Sequence, residues 1–239
     1  ERINQLFSTD VKIIQNREVF SYSVDSVLLS RFPNLPKRGL IVDLCAGNGA
    51  VGLFASTRTQ AQIIAVEIQE RLADMAQRSI ELNNLTSQMQ VIQDDLKYLT
   101  RYISGSKVDM ILCNPPYFKV DEHSNLNASR HYLLARHEIA TNLEEICQIS
   151  QRVLKSNGRL TMVHRPERFL DIIETMTAHN LAPKRIQFVY PKANRKANML
   201  LIEAIKDGSR DGLKILPPLF IHNQDGSYTP EIHEIYYGK

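Results

Sequence analysis

The sequence Asn114-Pro115-Pro116-Tyr117 closes an apolar run, Asp109-Met110-Ile111-Leu112-Cys113, whose residue types suit a buried parallel strand. Two prolines in succession fix φ and remove two N–H donors, so they hold the preceding Asn114 amide in one orientation. An amine conjugated to a ring or a carbonyl is a poor nucleophile because its lone pair is delocalised. The side-chain oxygen of Asn114 and the backbone carbonyl of Pro115 are placed to accept its two N–H bonds. That would aim the lone pair at an electrophile and stabilise the positive charge that develops. Tyr117 supplies a ring to stack on a planar substrate, and no tuned base is required because the product ammonium is itself acidic. Pro116 completes this four-residue catalytic turn. In isolation the same four residues would also make a plain rigid turn.

The electrophile is read from a second constellation. Leu40–Leu44 runs into Cys45-Ala46-Gly47-Asn48-Gly49-Ala50-Val51-Gly52, a literal G-x-G-x-x-G, and Glu67 follows about 20 residues on, where a ribose-binding acid belongs. A nicotinamide dinucleotide would match that pattern. The carboxylates argue against it: Asp43 stands four residues before Gly47, Asp94 and Asp95 follow the third strand, and Asp25 is expected nearby. An acidic crevice repels a pyrophosphate and favours a ligand carrying a sulfonium and an ammonium, which is S-adenosylmethionine. In this reading Cys45, Ala46, Gly47, Asn48 and Gly49 form the turn that approaches the ligand, and Asp43 holds its ammonium directly or through water. Glu67 takes the ribose hydroxyls and Asp94 accepts from the adenine amine, with Asp95 as its rival or as the cap of the next helix. No His/Cys/Asp cluster has metal-ligand spacing, so no metal is expected.

The elements that must position these residues follow from periodicity. Strands are expected at Leu40–Leu44, Ile63–Glu67, Gln90–Gln93, Asp109–Cys113, Arg159–His164, Arg185–Tyr190 and Met199–Lys206. Helical spacing occupies Ala50–Thr57, Arg71–Asn83, Leu96–Ser104, Leu143–Leu154 and Glu167–His179. The alternation implies an α/β domain with a doubly wound, mostly parallel sheet. The last two strands are joined by too few residues for a helical crossover and form an antiparallel pair at one edge. Residues 1–38 are an N-terminal extension with a strand at Val11–Ile14 and a helix capped by Ser23, 39–207 the main domain, and 208–239 a hairpin appendage around Asp225-Gly226.

Composition bounds the rest. In 239 residues, 43% are hydrophobic and 23% charged, with 10 Gly and 10 Pro, ordinary values for a globular chain. No apolar stretch is long enough to span a bilayer. Cys45, Cys113 and Cys147 make no CxxC pair, so a reducing cytoplasm is the expected location. Residues 1–150 carry 15 Lys/Arg against 17 Asp/Glu, whereas residues 151–239 carry 14 against 9. Between Glu174 and Glu203 there is no acid, while Lys184, Arg185, Lys192, Arg195 and Lys196 fall there with Phe188 and Tyr190 among them. That pattern suits a phosphate backbone, and equally a solvated sheet edge. The long polar segment from Phe118 to Glu138, with Arg136 and His137, leaves the catalytic turn directly and is a candidate clamp for a flipped nucleotide.

Together these motifs resemble class I S-adenosylmethionine-dependent methyltransferases that modify exocyclic or amide nitrogens. That resemblance implies a seven-stranded Rossmann-like sheet with an antiparallel edge strand. Ser23-Val24-Asp25-Ser26-Val27-Leu28-Leu29, Ala135-Arg136-His137-Glu138, Leu213-Lys214-Ile215-Leu216-Pro217-Pro218 and Ile235-Tyr236-Tyr237-Gly238 extend the likeness. The chain is similar there to the bacterial tRNA(Val)-type adenine N6-methyltransferases. The resemblance implies methyl transfer to the 6-amino group of an adenosine beside the anticodon, with RNA, specifically tRNA, as partner, by a monomer or weak dimer. Cys45 stands where many relatives have glycine. Glutamine-amide methyltransferases share the Asn-Pro-Pro-Tyr turn but usually carry an N-terminal helical domain. An rRNA or DNA amine, or a non-catalytic RNA-binding module, are the further alternatives.

Overall fold

A computed structural model describes residues 1–5, 10–16, 23–115 and 143–237. Its strands are β1 Arg2–Gln5, β2 Lys12–Gln15, β3 Leu40–Leu44, β4 Gln62–Glu67, β5 Met89–Gln93, β6 Val108–Cys113, β7 Leu154–His164, β8 Leu181–Tyr190, β9 Met199–Lys206, β10 Lys214–Ile215 and β11 Leu219–Phe220. The α-helices are α1 Val24–Arg31, α2 Ala50–Ser56, α3 Glu70–Leu82, α4 Leu143–Val153, α5 Phe169–Ala178 and α6 Pro230–Tyr237. Two 3-10 segments, Leu96–Arg101 and Pro166–Arg168, stand where the periodicity predicts the start of α-helix.

The main sheet runs β10-β8-β9-β7-β6-β3-β4-β5, with β11 also paired to β8. Strands β5, β4, β3, β6 and β7 are mutually parallel. β9 is antiparallel to both β7 and β8, so the expected antiparallel pair lies toward one edge with β9 inserted between its neighbours. Seven strands make the body of the sheet, and β10 and β11 add two-residue pieces in parallel to β8. Pro217 and Pro218 separate those pieces because neither can donate to a ladder. The register slips by one residue across them, from Lys214↔Arg185 to Leu219↔Val189.

Side-chain alternation along the strands builds two cores. Ile41, Ile63, Ala65, Met110 and Leu112 face a layer containing α1, α2 and α6. Val42, Leu44, Ile64, Val66, Ile111 and Cys113 face α4 and α5. With both faces covered, the open ends of the strands are where a ligand can approach.

Three features depart from the expectations. The N-terminal strand has a partner: β1 and β2 pair antiparallel from Arg2↔Gln15 to Gln5↔Lys12. Ser23 occupies the N-cap position of α1 in extended conformation, but through its backbone carbonyl, which accepts from the Ser26 N–H at 3.1 Å, and without a side-chain cap. The tail is more than a hairpin. After the His222↔Tyr228 bridge it forms α6, whose start carries a Thr229 hydroxyl accepting from the Ile232 N–H and Pro230 at the first position.

Candidate active site

β3 and β6 are neighbours, with Leu44 in register with Cys113. The next residues on each chain, the glycine turn and Asn114, therefore leave the sheet side by side at its carboxyl end. Asn114 is half-buried, and its Nδ2 lies 3.5 Å from Oγ of Ser26, a buried residue in the first turn of α1. Pro115 is buried behind it. Asp25 is half-buried one residue before Ser26. The tip of α1 thus reaches the turn after β6 from 88 residues away, a pairing that sequence spacing does not display. Pro116, Tyr117, Arg136 and His137 lie outside the described residues.

The glycine turn is bolted to the sheet at each step. The Ala46 N–H donates to the Val66 carbonyl at 3.0 Å, and Gly49 donates to the Ala46 carbonyl at 2.9 Å. Gly47 and Gly49 adopt φ of 56° and 82°, and a Cβ on Gly49 would stand 3.1 Å from that of Ala76. Gly52 lies inside α2, where an added Cβ would meet the Met89 methyl at 2.5 Å, so the third glycine serves close packing of helix on strand. Cys45 holds φ of 56° despite its side chain and packs, half-buried, against the α4 and α5 layer. Burial pushes the Cys113 thiol well up, with the adjoining Cys45 thiol adding to the effect, and burial pushes Cys147 up to about 12. Burial therefore keeps the Cys113 and Cys147 thiols protonated at neutral pH.

Asp43 occupies a strand position whose parity points it beneath α2 instead of into an open crevice, correcting the sequence expectation. It has no exposed surface. Its Oδ2 accepts the Gly52 N–H at 3.0 Å, while Oδ1 has no hydrogen-bond partner among the described residues. Burial pushes its carboxyl up to about 8, against the opposing effect of the Gly52 bond, and Glu67 adds repulsion.

Glu67, 5% exposed, accepts from Gly47 N–H at 2.8 Å through Oε2 and from Gln69 N–H at 2.9 Å through Oε1. Burial raises its pKa and these backbone bonds oppose the rise. The Ile68 N–H and the Gln69 side chain add to these bonds, so the carboxylate is held in one orientation at the end of β4. Asn48 is fully buried, with Nδ2 donating to Ile14 of β2 at 3.0 Å and Oδ1 unpartnered among the described residues. Asp94 Oδ1 accepts from the Asp95 N–H and its Oδ2 from the Tyr102 hydroxyl at 2.9 Å. Asp95 caps the 3-10 helix, accepting from Lys97 N–H, and pairs with Lys97 Nζ at 2.7 Å. The cap role foreseen as one alternative for Asp95 is the one it plays.

The predicted basic group divides. Arg185 is turned inward: it lies 3.5 Å from buried Glu203, 3.3 Å from the Phe32 carbonyl, and its guanidinium covers the Phe32 ring. Lys184 donates to the carbonyls of Ser209 and Asp211. Both are therefore corrected from RNA contacts to internal ties, because their strand positions set them against Glu203 and the segment after β9. Phe188 and Tyr190 likewise pack on Phe169 and Phe220. Lys192, half-buried, donates to the Gln224 carbonyl at 3.2 Å, and Arg195 and Lys196 are exposed in the loop after β8.

The donor set is consistent with S-adenosylmethionine. The acceptors of Glu67, the orphaned oxygens of Asp43 and Asn48 and a turn with positive-φ glycines suit a ligand rich in hydrogen-bond donors. The Cys45–Gly49 turn, Glu67 and Asp94 are the residues that would hold it, with Asp43 supporting the turn from beneath α2, and when bound it supplies an electrophilic methyl on a sulfonium. Asn114 and Pro115 leave β6 beside that turn.

Fold and site together define a methyltransferase of the doubly wound α/β class. The chain belongs to the methyltransferase small domain family, whose model matches residues 10–181, and it is an S-adenosylmethionine-dependent methyltransferase. It is 25% identical over 214 residues, 89% of either chain, to a Shewanella protein named tRNA1(Val) (adenine(37)-N6)-methyltransferase. The crystal structure of a predicted O-methyltransferase, Atu636 of Agrobacterium tumefaciens, superposes with TM-score 0.71 at 23% identity, covering 90% of this chain and 96% of that one. Geranyl diphosphate C-methyltransferase of Streptomyces coelicolor, solved with S-adenosyl-L-homocysteine, shares the fold with TM-score 0.53 at 13% identity, covering 70% and 73%. Among the described residues no helix is long and apolar enough to cross a membrane, and no His/Cys/Asp/Glu group is placed to hold a metal.

Proposed function

We propose that this enzyme transfers a methyl group to the exocyclic 6-amino group of adenine in RNA, specifically a tRNA adenosine beside the anticodon, in the cytoplasm. The observation that carries the proposal is the position of Asn114 and Pro115, one strand from the glycine turn and braced by Ser26. Two acceptors there suit an amine with two N–H bonds and a delocalised lone pair. A 6-amino adenine meets that description, and the name of the Shewanella relative specifies the same atom. Arg195 and Lys196, exposed beyond β8, add cations for a phosphate backbone.

The test is methyl transfer from labelled S-adenosylmethionine to unmodified bulk tRNA, with digestion to nucleosides and mass spectrometry. Labelled N6-methyladenosine is the expected product. Label confined to rRNA, DNA or a glutamine amide of a translation factor would overturn the substrate assignment.

A further inference from the structure

Asp94 is held by two donors, and one of them comes from eight residues further along the chain. Its Oδ1 accepts the Asp95 N–H at 2.8 Å, and its Oδ2 accepts the Tyr102 hydroxyl at 2.9 Å. A short helix sets the second contact. Asp95 caps the 3-10 segment Leu96–Arg101 at its start, and the Tyr102 N–H closes it by donating to the Leu99 carbonyl at 3.0 Å. Leu96, Leu99 and Ile103 are buried in the same core as Ile64 and Val66, which fixes the segment and returns the Tyr102 side chain to Asp94.

The place of Asp94 in the sheet gives this contact a use. Gln93 is in register with Glu67, so Asp94 leaves β5 at the carboxyl end of the sheet, one strand spacing or about 4.8 Å from the end of β4. The cations of the 3-10 segment are directed elsewhere. Lys97 Nζ pairs with Asp95 at 2.7 Å, and the Arg101 guanidinium lies 4.0 Å from the centroid of the Tyr98 ring. Tyr102 is instead a neutral donor, and the bond raises the pKa of its phenol, so it stays a donor at neutral pH while Asp94 keeps its charge. Each carboxylate oxygen can still accept a further bond.

We propose that Tyr102 is a positioning residue for the cofactor adenine: its hydroxyl sets the plane of the Asp94 carboxylate so that an oxygen meets the 6-amino group of S-adenosylmethionine. A half-buried carboxylate able to turn would lose that freedom on binding, and the hydroxyl removes it in advance. The inference rests on Asp94 as the acceptor for the adenine amine, and it adds what holds that acceptor in place.

The experiment is calorimetry on the full chain with S-adenosylhomocysteine and with S-inosylhomocysteine, whose 6-oxo group accepts where the amine donates. Wild type should prefer the adenosyl ligand. Tyr102→Phe keeps the ring and removes the hydroxyl. It should bind S-adenosylhomocysteine about 2- to 10-fold more weakly, and S-inosylhomocysteine no more weakly than wild type does. A ring that merely supports the fold would weaken both alike. Asp94→Ala should abolish the preference, and adding Tyr102→Phe to it should change nothing further, because the hydroxyl acts through the carboxylate. In steady-state methylation by Tyr102→Phe, the KM for S-adenosylmethionine should rise with kcat unchanged.

Equal weakening of both ligands by Tyr102→Phe, undiminished affinity for S-adenosylhomocysteine, or a further loss on top of Asp94→Ala would overturn the proposal. The two readings fail differently. A preference that survives Asp94→Ala removes Asp94 from the adenine site, and Tyr102 with it. A preference lost in Asp94→Ala but kept in full by Tyr102→Phe removes Tyr102 alone.

Discussion

The Asp43 carboxylate at the end of β3 accepts the Gly52 N–H of α2 at 3.0 Å, while its other oxygen is buried with no hydrogen-bond partner among the described residues. One carboxyl therefore anchors the first turn of the helix behind the glycine loop and retains an acceptor that the folded chain does not satisfy.

This arrangement makes stability fall as pH rises. The Asp43 pKa lies near 8 in the fold and near 3.8 in the unfolded chain, so between those values the folded state holds a proton that the unfolded state has released. Asp43→Asn removes that penalty. The variant should melt higher than wild type at pH 8, by roughly 2–4 °C for each kcal/mol recovered, with the gap closing toward pH 4. If Asp43 also holds the ammonium of S-adenosylmethionine, titration calorimetry will show weaker binding in the same variant. A lower melting temperature at pH 8 would show that the Gly52 tether outweighs the buried charge.

Glu67 accepts the Gly47 N–H through Oε2 and the Gln69 N–H through Oε1. In Glu67→Gln one of those donors must face an amide NH2. Loss of a charge-assisted bond is worth about 1.5–3 kcal/mol, so affinity for S-adenosylmethionine should fall by about tenfold or more. Unchanged calorimetric affinity would remove Glu67 from the cofactor site.

Gly49→Ala places a Cβ in a left-handed conformation, 3.1 Å from that of Ala76. The conformational cost is about 1–2 kcal/mol before any shift of α3. Thermal melting should register the loss, and cofactor binding should weaken with it.

Asn114→Ala removes one acceptor for the substrate amine. Turnover should drop by about 10²–10³ with cofactor affinity nearly unchanged, as expected for an interaction made in the transition state. Ser26→Ala, which takes away a partner 3.5 Å distant, should cost only a few-fold. Steady-state kinetics on the labelled-tRNA assay measures both.

Arg185→Ala should act as a stability mutation. It leaves buried Glu203 with Arg159 at 3.9 Å as a remaining cation and uncovers the Phe32 ring. A loss of about 2 kcal/mol is expected. The salt dependence of RNA binding should not change, in contrast to the Arg195 and Lys196 pair.

The strands at Leu40–Leu44 and Met199–Lys206 were legible to the residue, because each is an apolar run long enough to show a strand's composition. β10 and β11, two residues each, carry no period at all. α6 was legible in principle from Thr229-Pro230, a cap followed by a first-turn proline, but the Asp225-Gly226 turn just before it drew the reading toward a simple hairpin. Charge was the least legible property. Arg185 reads as part of a basic run until the β8–β9 register sets it opposite Glu203. Asp43 reads as a crevice residue until strand parity turns it toward α2. The Ser26 contact with Asn114 is purely tertiary, and only the packing of α1 across the sheet creates it.

The insertion of β9 between β7 and β8 bears on how the chain is made. During synthesis Leu154–His164 emerges well before Met199–Lys206, and until the latter arrives one flank of β7, including Leu160, Met162 and Val163, lacks the strand that will cover it. A nascent chain in that interval presents an unpaired apolar ladder, a template for association with other chains. Translation pauses between codons 165 and 199 would lengthen that exposure, and chaperone dependence of the newborn protein is expected to concentrate there.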